Sequence, residues 1–144
     1  MILVGWLGTV LYLINHGYIS LIASWRKNIY YSGNAIAAIC LVLSSTASHS
    51  WQAVVINSFW TIISISLLFG FDLTKVKFNK YIFKLIVAAM LIAFGGQYLL
   101  EQTFNLTLLG WISAFVFSAC YLLFSADKML PRYYLLWNAF AAVT

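Results

Sequence analysis

The chain has 144 residues, 64% of them apolar and 8% charged, with a formal net charge of +5. A water-soluble domain is about 45–50% apolar and about 25% charged, so too little polar surface is present to clothe a soluble globule. Disorder needs low hydropathy and high charge and is excluded by the same figures. A disulfide scaffold is excluded because Cys40 and Cys120 are the only cysteines and each sits in an apolar run, where a thiol behaves as a small hydrophobe.

A membrane-crossing helix needs about 20 mainly apolar residues. The sequence predicts six in chain order: about Ile2–Ile22, Ile29–Ala47, Trp51–Phe71, Tyr81–Leu100 and Leu106–Ser125, then a last one from Pro131 to Thr144. None shows the alternation of a lipid-facing barrel strand, and a helix satisfies its own backbone in lipid. The start, Met1-Ile2-Leu3-Val4-Gly5-Trp6, has no basic n-region, so the first segment reads as a retained helix rather than a cleaved leader. The fold expected is therefore all-α, a polytopic integral membrane bundle of about six transmembrane helices.

The eight basic residues fall in alternate connections: Arg26 and Lys27; Lys75, Lys77, Lys80 and Lys84; Lys128 and Arg132. The connections 44–50 and 101–105 carry none. Basic loops are retained on the cytoplasmic side. The expected placement is multi-pass in a cell inner (plasma) membrane with the N-terminus outside. Cations spread over three short loops suit anionic lipid headgroups better than nucleic acid, which needs a basic face or stripe.

The chain also resembles itself. Gly5-Trp6-Leu7 returns as Gly110-Trp111-Ile112 and Ser20 as Ser125, at an offset of 105; Tyr30 returns as Tyr134 and Asn34-Ala35-Ile36-Ala37-Ala38 as Asn138-Ala139-Phe140-Ala141-Ala142, at 104. An even number of crossings separates the copies, which makes them parallel repeats about an axis along the membrane normal. The expected plan is a first three-helix repeat over 1–71, a linker helix over 72–104 and a second, truncated repeat over 105–144 (3+1+2). The sixth segment, at about 1.5 Å per residue, reaches roughly 21 Å against a hydrocarbon core of about 30 Å. A missing wall would be supplied by further chain, a second copy or a partner membrane chain.

Ionisable groups at membrane depth are functional candidates by default. Asp72, Glu101 and Asp127 all lie at segment ends, which leaves no carboxylate pair for proton relay or hydrolysis. No nucleophile–base pair and no metal-ligand spacing is present, so neither an enzyme, a metal nor a cofactor is expected. The polar residues inside the segments that stand out as candidates are His16, Asn34, Asn138 and the pair Asn57 and Trp60, with Ser64 and Ser66 further along. An amide offers two donors and an acceptor, suited to a hydroxylated solute, and an indole face can stack on a ring. The competing role is interhelical glue for the asparagines and a local hydrogen bond for His16. Gly33-x-x-x-Ala37, Ala89-x-x-x-Ala93 and Gly110-x-x-x-Ala114 permit close helix approach.

With Gly5-Trp6-Leu7-Gly8-Thr9-x-x-Tyr12, then Asn34, then Ile56-Asn57-Ser58-Phe59-Trp60-Thr61-Ile62-Ile63, the sequence resembles an uncharacterised bacterial family, the CBU-like transmembrane domain. That family has a G-x-x-G/A start, an Asn in its second helix and an N-x-x-W in its third. The resemblance covers about residues 3–70 and returns weakly over 108–144, with a departure at His16-Gly17. It implies fold and membrane location, and the family has no assigned activity. More distantly the chain is similar to SWEET and PQ-loop carriers through the three-helix parallel repeat, although it lacks their proline in the first helix. The function expected is a carrier or facilitator for a small neutral polar solute, with Asn34, Asn138, Asn57, Trp60 and His16 as its contacts. A non-catalytic accessory or scaffold subunit is the alternative.

Overall fold

In the computed structural model the described residues are 2–75, 77, 79–103 and 105–143. Six α-helices account for most of them: α1 (Ile2–Leu21), α2 (Lys27–Ala47), α3 (Trp51–Leu68), α4 (Lys80–Glu101), α5 (Leu106–Ser125) and α6 (Pro131–Val143), with a 3₁₀ turn at Leu73–Lys75 before α4. The ends follow the predicted limits closely, and their chemistry is local. Asn79 Oδ1 accepts the backbone N–H of Tyr81 and Ile82, and Asn105 Oδ1 that of Leu108, so two helices start on an asparagine cap. Pro131 opens α6, where its missing N–H would be unpaired anyway.

Three helices stop in the same way. Ser50 N–H donates to Ser45 O, Phe71 N–H to Ser66 O and Lys128 N–H to Leu123 O. In each case the residue before the donor, His49, Gly70 or Asp127, has a positive φ. This is the Schellman closure, which satisfies carbonyls that the helix end would leave bare. Only Gly70 supplies the residue best suited to φ of 80°.

α2 packs between α1 and α3, α3 lies on α5, α5 carries α6, and α6 returns to α1. The five helices thus close into a ring, with α4 resting outside it on α5. Lys27, at the start of α2, and Asp127, just after α5, pair at 2.7 Å, which brings the first and fifth connections to one end of the bundle. The side chains of Lys80 and Lys84, and of residues 140–143 at the second Ala-Ala pair, lie outside the described part.

Close approach of α1 to α2 rests on Gly8. A Cβ there would stand 3.0 Å from Ala37 O and 2.9 Å from Leu41 Cγ. Gly33 faces Asn15, whose Oδ1 would lie 2.8 Å from an added Cβ. Ala89 and Ala93, by contrast, are exposed on α4 and bring no helix close.

The radial pattern is inverted relative to a soluble protein. Asn15, Asn34, Asn57, Ser64 and Asn138 are buried, while Leu13, Ile14, Ile62, Leu85, Ile92 and Leu99 are among many large apolar side chains left exposed. Apolar surface on that scale is not tolerated in water and suits lipid. Four helices, α1, α2, α3 and α5, are long and apolar enough to cross a bilayer, while α4 contributes the shorter apolar stretch Leu85–Glu101 and α6 has 13 residues. Six helices match the expected number, and four of them meet the requirements of a span.

Candidate functional site: a cavity between α1, α3, α5 and α6

Residues three or four apart share a helix face, and two such pairs meet at mid-bundle. Tyr12 and His16 on α1 face Asn57 and Trp60 on α3 across a cavity of about 470 Å³, which Phe117 of α5 and Asn138 of α6 complete. The volume falls within the range of small-molecule sites, about 300–1,000 Å³. The Tyr12 and Trp60 rings stack with centroids 5.0 Å apart and planes 10° apart, and Phe117 meets the Trp60 ring edge-on at 5.9 Å. Asn57 is oriented by its own helix, its Nδ2 donating to Ala53 O at 2.8 Å.

His16 and Asn138 form a relay. His16 Nδ1 lies 3.1 Å from Tyr12 O. A carbonyl can only accept, so Nδ1 carries the proton and Nε2 is an acceptor. Asn138 Nδ2 lies 3.4 Å from that Nε2 and donates to it. The amide is thereby turned so that Oδ1 is its remaining group, and this atom is buried without a hydrogen-bond partner, as is Trp60 Nε1. Unpaired buried polar atoms cost about 1–3 kcal/mol each, and Asn34 Oδ1 and Ser125 Oγ, on residues away from the cavity, share that state.

Four of the five residues expected to contact a solute, His16, Asn57, Trp60 and Asn138, line this one cavity. Asn34 does not. It is fully buried, and its Nδ2 donates to Ser64 Oγ at 3.1 Å and to the Tyr121 hydroxyl at 3.0 Å, while Ser64 and Tyr121 bond each other at 2.6 Å. This triangle ties α2 to α3 and α5. Beside it the Tyr30 hydroxyl donates to that of Tyr134 at 3.3 Å. Asn15 Nδ2 donates to Tyr30 O at 2.9 Å and ties α1 to α2.

Position 16 corresponds to 121 at the repeat offset of 105, and 34 to 138 at 104. His16 on α1 meets Asn138 on α6, and Tyr121 on α5 meets Asn34 on α2, so equivalent positions make crossed pairs. Tyr12 escaped the sequence reading as a site residue, because its role depends on Trp60, 48 positions away. Its i,i+4 spacing to His16 is the signal that points to it.

The acids stand apart from the cavity. Asp127 pairs with Lys27, Asp72 lies 3.7 Å from Lys75, and Glu101 Oε2 accepts from Gln97 at 3.1 Å. The hydroxyl and the backbone N–H of Thr74 hold the exposed Asp72 carboxyl below the usual carboxylate range. Among the described residues no three His, Cys, Asp or Glu side chains gather where they could hold a metal ion.

Comparison with known proteins adds one match. No curated protein and no solved structure matches the chain significantly, and the similarity to SWEET and PQ-loop carriers is not shown. A family model matches residues 1–75, a little over half of the chain, and takes in Gly5, Gly8, Tyr12, Asn34, Asn57 and Trp60. The chain belongs to the uncharacterised CBU-like family.

Proposed function

We propose that the protein is a multi-pass carrier or facilitator of a bacterial inner membrane, N-terminus outside, which admits a small neutral polar solute to the cavity between α1, α3, α5 and α6. The observation that carries this reading is the convergence of His16, Asn57, Trp60 and Asn138 on one apolar-walled space at mid-bundle. A ligand there meets an indole and two amides without meeting a fixed charge, and an uncharged pathway suits uncoupled movement of an uncharged solute. A second cavity of about 410 Å³ lies towards the starts of α3 and α5, at the end away from the basic connections, and shares Ile56 with the first. The crossed pairs His16–Asn138 and Tyr121–Asn34 support a parallel repeat with a pseudo-twofold between the α1–α2 and α5–α6 units.

The site is read as one of binding rather than catalysis, since no nucleophile and base meet in it among the described residues. The test is uptake of labelled neutral sugars and polyols into proteoliposomes. Saturable uptake that Asn138→Leu and Asn57→Leu abolish is the expected result, and uptake equal to that of protein-free vesicles would overturn the reading.

One observation favours the accessory-subunit reading. Leu13 and Ile14 of α1 and Leu136 of α6 are more than 60% exposed, and those two helices touch each other. A helix from a second copy or a partner membrane chain would seat there. Co-purification of a stoichiometric partner, together with absence of uptake, would favour that role.

A further inference from the structure

We propose that the groove between α3, α4 and α5 is a binding site for one anionic phospholipid, with an acyl chain in the groove and its phosphate on Lys77. The groove encloses about 470 Å³. Its wall is apolar, with Phe59 from α3, Ile82 and Ile86 from α4, and Phe115 and Leu122 from α5; Lys77 stands at its basic end. It exists because α4 rests on the ring through α5 and leaves a gap towards α3. An apolar groove open to the lipid loses dispersion contacts while it is empty and offers water few partners, which favours an acyl chain as its occupant.

Charge decides the headgroup. The chain has three acidic residues, and each is engaged: Asp127 by Lys27, Asp72 by Lys75 and Thr74, and Glu101 by Gln97. Lys77 is exposed and none of the three reaches it. A cation at the mouth of an acyl-sized groove, with all three acids of the protein engaged elsewhere, favours a net-anionic headgroup over a zwitterionic one, whose choline offsets its phosphate. The cytoplasmic leaflet supplies anionic lipid, and each lysine near that surface strengthens binding about fivefold. This site is separate from the central cavity, and the proposal holds whether or not a solute is carried.

The test is native mass spectrometry of the full chain released from nanodiscs that contain equal phosphatidylglycerol and phosphatidylcholine. The expected result is preferential retention of phosphatidylglycerol, reduced about fivefold by Lys77→Gln. Ile86→Trp, which fills the groove from a lipid-exposed helix, should lower retention of both lipids, and added inorganic phosphate should displace neither. Equal retention of the two lipids by the native chain would overturn the proposal. So would phosphatidylglycerol retention that survives both substitutions, or that phosphate displaces while Ile86→Trp has no effect, which marks a headgroup contact without a groove.

Discussion

The hydroxyls of Tyr30 and Tyr134, equivalent positions in the two halves of the chain, meet at 3.3 Å in the fully buried centre of the bundle. Positions 30 and 134 are matched by the sequence offset of 104, as are 34 and 138. Replacing either tyrosine by Phe leaves the other hydroxyl buried with a partner removed, at about 1–3 kcal/mol. Removing both leaves nothing orphaned at that contact. The double variant Tyr30→Phe/Tyr134→Phe should therefore be less destabilised than the two single variants added together. Reversible unfolding in mixed micelles measures this, and strict additivity would show that the hydroxyls are not coupled.

The two asparagines that the repeat makes equivalent do different work, and stability should separate them. Asn34 closes a triangle with Ser64 and Tyr121 that binds three helices. Asn34→Ala strips two acceptors at once and should cost about 1–3 kcal/mol of stability. Asn138→Ala breaks a long contact to His16, 3.4 Å, and a contact to the Tyr134 hydroxyl, at the edge of a cavity. Its cost should stay below about 1 kcal/mol, with the larger effect on solute uptake. Equal destabilisation by the two substitutions would contradict the division of roles.

Glycines on α1 give a paired contrast. At Gly8 a Cβ meets the Ala37 carbonyl at 3.0 Å, and backbone cannot swing aside as a side chain can. Gly8→Ala should push α1 off α2 and cost about 1–3 kcal/mol. At Gly17 an added Cβ meets nothing within 4 Å. Gly17→Ala gains helix propensity and should be neutral or stabilising by up to about 1 kcal/mol. Thermal unfolding of both variants in one detergent makes the comparison, and a Gly17→Ala variant less stable than Gly8→Ala would refute it.

At the basic end, the Thr74 contacts make Asp72 a local acid-sensitive clasp. Its carboxyl is held below the ordinary carboxylate range, so the ordering it contributes is present above the unfolded pKa and lost as pH falls through the folded value. Thr74 N–H, which donates to Asp72 Oδ1 at 3.0 Å, should exchange faster on acidification once the intrinsic rate is corrected. Asp72→Asn should show fast exchange already at neutral pH and no further change on acidification. Pulsed hydrogen exchange reads both.

The helix limits were legible because each depends on a few adjacent residues: a lipid-length apolar run, an asparagine cap at Asn79 or Asn105, a proline at 131. Burial was legible in part. Asn15, Asn34, Asn57 and Asn138, inside apolar segments, did turn inward, since lipid gives an amide no partner outside. What sequence did not disclose is which of them face one another. Asn34 and Asn138 look alike in the repeat, yet one is enclosed by Ser64 and Tyr121 and the other borders a cavity. Asn34 is enclosed because α2 packs against α3, which brings Ser64 to it, and α3 lies on α5, which brings Tyr121. The Tyr12–Trp60 stack likewise joins two helices whose rotation about their axes no local pattern sets.

Ile56 lines both the central cavity and the one at the starts of α3 and α5, which makes it the candidate partition between them. If a solute reaches His16 and Asn138 from that end, it passes Ile56. The Cβ-branched side chain holds few rotamers, so widening has to come from substitution or helix movement rather than from a side-chain swing. Ile56→Ala joins the two spaces and should raise the rate of uptake into proteoliposomes while relaxing size selection. Ile56→Trp fills the partition and should lower the rate without changing which solutes compete for the site. Both substitutions leave the lining amides untouched, so an equilibrium binding measurement should move far less than the rate. A rate indifferent to both would place the entry path elsewhere and leave the neutral-end cavity as a surface cleft.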